Sequence, residues 1–82
     1  MEFRPIKVAT GSADEEGRLV LVEDRLVAVL VRLEDSGHGA ARGQWCLEAG
    51  FNGVDSTEPP LFVDLEAAER WISLQLPHVI AV

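Results

Sequence analysis

The sequence predicts an α+β fold, a three- to four-stranded antiparallel meander with one C-terminal helix packed on one face (βββα). Three observations predict it. Leu19 to Leu33 holds two aliphatic, β-branched runs split by Glu23, Asp24 and Arg25, the composition of a hairpin. Trp45, Leu47, Ala49 and Phe51 alternate with Gln44, Cys46, Glu48 and Gly50, the period of a strand with one buried side. Leu65, Ala68, Ile72 and Leu76 recur at helical spacing behind Asp64, a residue type that caps helix N-termini.

The elements follow in chain order. FRPIKVA at 3–9 predicts a short strand at Ile6 to Val8, placed at a sheet edge because Pro5 cannot donate to a ladder. Thr10 to Gly17, with Asp14, Glu15 and Glu16 in a row, reads as a solvated loop. The hairpin joins Leu19–Val22 to Leu26–Leu33. It lacks an Asn-Gly or Asp-Gly pair, so both a two-residue and a three-residue turn fit and the register stays open.

EDSGHGAARG, residues 34–43, reads as a flexible glycine-rich connection. In the strand that follows, Trp45 faces the core and Cys46 faces away from it. Asn52-Gly53 begins a polar loop ending at Pro59-Pro60, which stiffens the path into Leu61, Phe62 and Val63. The helix then places Trp71 beside its apolar face and turns Glu66, Glu69, Arg70 and Ser73 outward, until Pro77 ends it. The tail, His78 to Val82, is apolar enough to add a strand or to lie across the sheet.

Length and charge bound the function. The 82 residues suit one domain, 1–82, with a core over 17–76 and terminal segments at 1–16 and 77–82. A lone cysteine, Cys46, forms no internal disulfide, which favours a reducing, cytoplasmic setting. Charges at Glu2, Arg4 and Lys7 interrupt the N-terminus, and the longest apolar run is Leu26 to Val31, so neither an export signal nor a membrane span is expected. Fourteen acids against seven basic residues give a formal charge of −7. That charge repels phosphate backbones, so direct nucleic-acid binding is not expected.

Several residues invite chemistry. Cys46 with His38 or His78 suggests an activated thiol, but the residues share no specific spacing and a small buried hydrophobe is the preferred reading of the cysteine. Those three residues also fall short of the four ligands of a structural zinc site, so no metal or other cofactor is expected. Asp35, Ser36 and His38 are triad residue types on one loop without a rigid frame. GHGAARG lies between strands, without the helix N-terminus or the lysine of a phosphate loop. The pairs Glu23/Asp24 and Glu34/Asp35 sit at strand ends and read as solvated turns. Trp45 and Trp71 are assigned to the core, near each other, where they pack instead of stacking on a ligand.

The second strand is the most informative. Val27, Val29, Val31 and Leu33 are expected to meet the helix, yet Leu26, Ala28 and Leu30 on the other side are apolar as well. One helix covers one face. A second apolar face formed by Leu26, Ala28, Leu30 and Cys46, with Glu48 on its rim opposite an arginine such as Arg32 or Arg42, is therefore the candidate interface, to be covered by the terminal segments or by a second subunit. The expected function is a non-enzymatic protein-interaction domain, self-associating as a homodimer or meeting another protein. The alternative is a small-molecule binder or enzyme with a cleft near Cys46, His38 and Glu48.

RLVAVLVRL at 25–33, GQWCLEAGF at 43–51 and FVDLEAAERWI at 62–72 together resemble a set of small bacterial proteins built on G-x-W-x-L-E-A-G-F followed by a helix with Glu-Ala and Trp. The resemblance implies a fold and no activity. The start of the helix is also similar to that of two βββα families, the sheet domain of HicB-type antitoxins and the amino-terminal arm-binding domain of tyrosine recombinases. The first likeness implies binding of a small basic toxin. The second implies a basic, DNA-binding sheet, from which this acidic chain departs.

Overall fold

The computed structural model describes residues 1–55 and 58–76. Four strands, β1 (Glu2–Lys7), β2 (Glu16–Val22), β3 (Arg25–Arg32) and β4 (Trp45–Gly50), form one antiparallel sheet in sequential order, and α1 (Leu65–Gln75) follows. The α+β meander with a C-terminal helix is the fold the sequence predicts.

The first strand starts earlier than its composition suggests. It runs Glu2–Lys7 instead of Ile6–Val8, pairs with all of β2 from Glu16 to Leu21, and contributes Phe3 to the core. Glu2–Lys7, within the segment 1–16, thus lies in the sheet. Pro5 lies opposite Arg18 on this edge strand, where a missing donor is tolerated.

The hairpin closes through two residues. Val22 pairs with Arg25, and Glu23 and Asp24 both take positive φ, 53° and 64°. Two-residue turns of this hand match the twist of the flanking strands, which is why two non-glycine residues are held in the left-handed region. Two β-bulges then disturb the ladders: Val27 is inserted opposite Val20, and Glu48 opposite Val29. A bulge places two residues against one and so shifts the alternation of sides beyond it.

The 34–43 connection carries local structure. Ser36–Ala41 forms 3-10 turns with a kink at Gly39, where φ is 58°. Asp35 caps them by accepting from the Gly37 N–H at 2.9 Å. Beyond β4, Phe62 pairs with Trp45 through two 2.8 Å backbone bonds. The Val54–Asp55 backbone passes so close to Gly50 that a Cβ there would stand 2.7 Å from the Asp55 nitrogen. Asp64 caps α1 as expected, accepting from the Ala67 N–H at 2.8 Å. The readings placed on Pro77, His78 and the tail lie outside the described residues.

The core lies between α1 and one side of the sheet. Val20, Val27, Ala28, Leu30, Trp45, Val54, Phe62, Ala68 and Ile72 form it, with Phe3, Leu47, Leu65, Trp71 and Leu76 packed against them. Ala28 and Leu30 are fully buried, 0% exposed. The side of β3 that meets the helix is therefore that of Ala28 and Leu30, and the expectation that Val29, Val31 and Leu33 would do so is corrected.

Register is the reason. Trp45 lies opposite Arg32, and Cys46 opposite Val31. Directly opposed residues share a side, so the face of the buried Trp45 is the face of Arg32, Leu30 and Ala28. Val27 joins the core only as the inserted residue of its bulge. Trp71 meets Phe62 at 5.6 Å between ring centroids, and Trp45 carries the Arg18 guanidinium 5.0 Å over its ring, a cation–π contact.

Candidate functional site: the open face of the sheet

The opposite side of the sheet is built by the alternation that buries Leu30. Leu19 and Leu21 of β2, Leu26, Val29 and Val31 of β3, and Cys46 and Ala49 of β4 project there, joined by direct pairs: Leu19 with Val29, Leu21 with Leu26, Val31 with Cys46, Val29 with Ala49. Val31 is buried and Leu26 is 39% exposed, while Leu19, Leu21, Val29, Cys46 and Ala49 are half-buried. Helix α1, the α-helix among the described residues, lies on the other side. Glu2, Arg4 and Ile6 complete the face along β1, with Glu2 and Arg4 joined in an exposed ion pair.

Of the five candidate interface residues, Leu26 and Cys46 lie on this open face and Glu48 stands exposed at its β4 rim. Ala28 and Leu30 do not belong to it, because both sit under α1. Leu19, Leu21, Val29 and Ala49 take their place. The bulge at Glu48 also breaks the alternation that assigned Ala49 and Phe51 to the core: Ala49 pairs with Val29, and Phe51 is 48% exposed. Both arginines expected opposite Glu48 are engaged with Glu34 instead. Arg32 forms a 3.2 Å ion pair with Glu34, and Arg42 donates to the Glu34 carbonyl at 2.9 Å.

At one end of the sheet lies a second cluster, formed by residues far apart in the chain. Asp14, read as part of a solvated acidic run, is buried. One of its oxygens accepts from the Glu34 and Asp35 backbone N–H groups at 2.6 and 2.7 Å, and the other lies 2.5 Å from His38 Nε2. The side-chain bond from His38 and the two backbone donors lower the Asp14 carboxyl from its ordinary 3.8 to about 2. The cluster is a tie between the β1–β2 loop and the 34–43 connection. His38 is engaged with Asp14, and Asp35 caps a turn, so Asp35, Ser36 and His38 do not assemble as a triad.

The thiol of Cys46 is raised above its usual value, first by burial and then by the charges of Glu48 and Asp14. A nucleophilic cysteine requires the reverse shift. Shallow hollows occur at Pro5, Ile6, Lys7, Glu16 and Arg18, and along the outer surface of α1 at Glu66, Glu69, Arg70, Ser73 and Leu74. Neither touches Cys46, His38 or Glu48. Among the described residues no group of three or more His, Cys, Asp or Glu is placed to hold a metal ion, and no helix is long and apolar enough to cross a membrane.

Comparison with models of known protein families, with curated proteins and with solved structures finds no match to this chain.

Proposed function

We propose that this protein is a non-enzymatic interaction domain of the cytoplasm that self-associates through the open face of its sheet. The observation that carries the reading is the contiguous apolar surface of Leu19, Leu21, Leu26, Val29, Cys46 and Ala49, on the side away from α1. Burying a leucine or valine is worth about 1.5 to 3 kcal/mol relative to full exposure. Covering several half-buried ones therefore adds an amount comparable to the whole stability margin of a small domain.

Face-to-face contact is favoured over strand addition because both sheet edges are obstructed. Edge β1 carries Pro5 among Glu2, Arg4 and Lys7, features that discourage edge pairing. Edge β4 is bonded to Phe62 at Trp45, and Val54–Asp55 crowds Gly50 at its other end. The raised Cys46 thiol supports a non-enzymatic role for this surface.

The test is the solution mass of the wild type and of Leu21→Glu, measured by size exclusion with light scattering over a range of concentrations. The expected result is a dimer that the substitution converts to a folded monomer. A wild type that stays monomeric at the highest concentration reached would end this reading.

A further inference from the structure

The open face is crossed by one row of paired residues that ends on one edge in Arg4, ion-paired with its neighbour Glu2, and on the other in Glu48. Arg4 lies opposite Leu19, Leu19 opposite Val29, and Val29 opposite Ala49, beside which Glu48 is the inserted residue of the β4 bulge. Arg4 therefore closes the row on edge β1 and Glu48 closes it on edge β4, with an apolar centre between them. Three inter-strand steps separate the ends, roughly 14 Å, which exceeds the screening length of about 8 Å at physiological salt. Within one molecule the two charges scarcely interact.

Two placements bring this face against a second copy with aligned strands. An axis running across the strands along this row sets β1 over β1 and β4 over β4, so each row end meets its own charge. An axis parallel to the strands sets β1 of one copy over β4 of the other and leaves the row at the same height. We infer that the occupant of the open face is a second copy of this chain turned about that parallel axis, with Arg4 of each copy over Glu48 of the other and Val29 near the centre of the contact. This inference rests on the self-association proposed above and adds its orientation. Arg4 remains available for such a contact, since its bond to Glu2 is an exposed pair with a side chain 53% accessible, and exposed pairs hold their partners weakly.

The experiment compares the dimer dissociation constants of the wild type, Arg4→Glu, Glu48→Arg and the double reversal, by sedimentation at low and moderate salt, with circular dichroism as the check of fold. Both positions are exposed, so the fold is expected to survive each change. Each single reversal places like charges together at two symmetric sites and is expected to raise the dissociation constant about tenfold, while the double reversal returns to within about threefold of wild type. Single reversals that leave association unchanged, or a double reversal that fails to recover it, would overturn the orientation and leave the dimer standing. A monomeric wild type would overturn both.

Discussion

Asp14 and His38, 24 residues apart, meet at 2.5 Å between carboxylate oxygen and Nε2, and the same carboxylate accepts from the Glu34 and Asp35 amides. Two loops that look independently mobile in the sequence are thereby tied at one end of the sheet. The tie has a pH signature. Because folding lowers the Asp14 carboxyl from 3.8 to about 2, the unfolded chain binds more protons between those values. The contribution of Asp14 is thus fully present above the unfolded value and is lost as pH falls through the folded one. Asp14→Asn is expected to flatten the acid-side fall in stability over that window and to lower the thermal midpoint at neutral pH, both readable by thermal denaturation across pH.

The turn at Glu23-Asp24 predicts a stabilising change. Both residues occupy the left-handed region, which is uphill for side chains with a Cβ and suits Asn-Gly. Replacing the pair by Glu23→Asn with Asp24→Gly is expected to raise stability by about 1 kcal/mol, since Asn and Gly occupy the same left-handed geometry at lower cost and the register is kept. A denaturant midpoint that falls instead would show that these side chains make contacts outweighing the backbone relief.

Gly50 predicts the opposite. Its backbone is not in the left-handed region, yet an added Cβ would stand 2.7 Å from the Asp55 nitrogen and 2.8 Å from the Val54 carbonyl carbon. Val54 is fully buried, so the chain there cannot simply swing outward. Gly50→Ala is expected to cost about 1 to 3 kcal/mol, the range for forcing atoms into a packed site, measured by chemical denaturation.

The two faces of β3 are distinguishable by one residue type. Glutamate in place of Leu30, which is 0% exposed under α1, buries an unpaired charge and is expected to unfold the domain. Leu30→Ala is expected to cost about 2 to 5 kcal/mol. Leu26→Glu, at a position 39% exposed on the open face, is expected to leave circular dichroism unchanged. Unfolding by Leu26→Glu together with tolerance of Leu30→Glu would reverse the assignment of faces.

Cys46 is expected to be sluggish. Burial and the nearby Glu48 and Asp14 charges hold its thiol protonated at neutral pH, and the thiolate is the reactive form. Modification by a thiol reagent should be slower than that of free cysteine and should accelerate on unfolding. A reaction faster than free cysteine would contradict the environment described here.

By itself the sequence determined the kinds of element, their order and several of their ends. Asp64 announces α1 because a capping carboxylate acts through bonds three residues away, and the aliphatic runs announce β2 and β3 because strand composition is local. It also determined that β3 is apolar on both sides. What only the tertiary structure decided was which side meets the helix. With Val27, Val29 and Val31 set against Leu26, Ala28 and Leu30, hydrophobicity is nearly equal on the two sides, and the choice passed to the pairing of Trp45 with Arg32 and to the two bulges. A strand's alternation has a period of two residues, so one step in register exchanges its faces. Asp14 was hidden for the same kind of reason: a carboxylate in an acidic run looks solvated until the fold brings amides from 20 residues away to meet it.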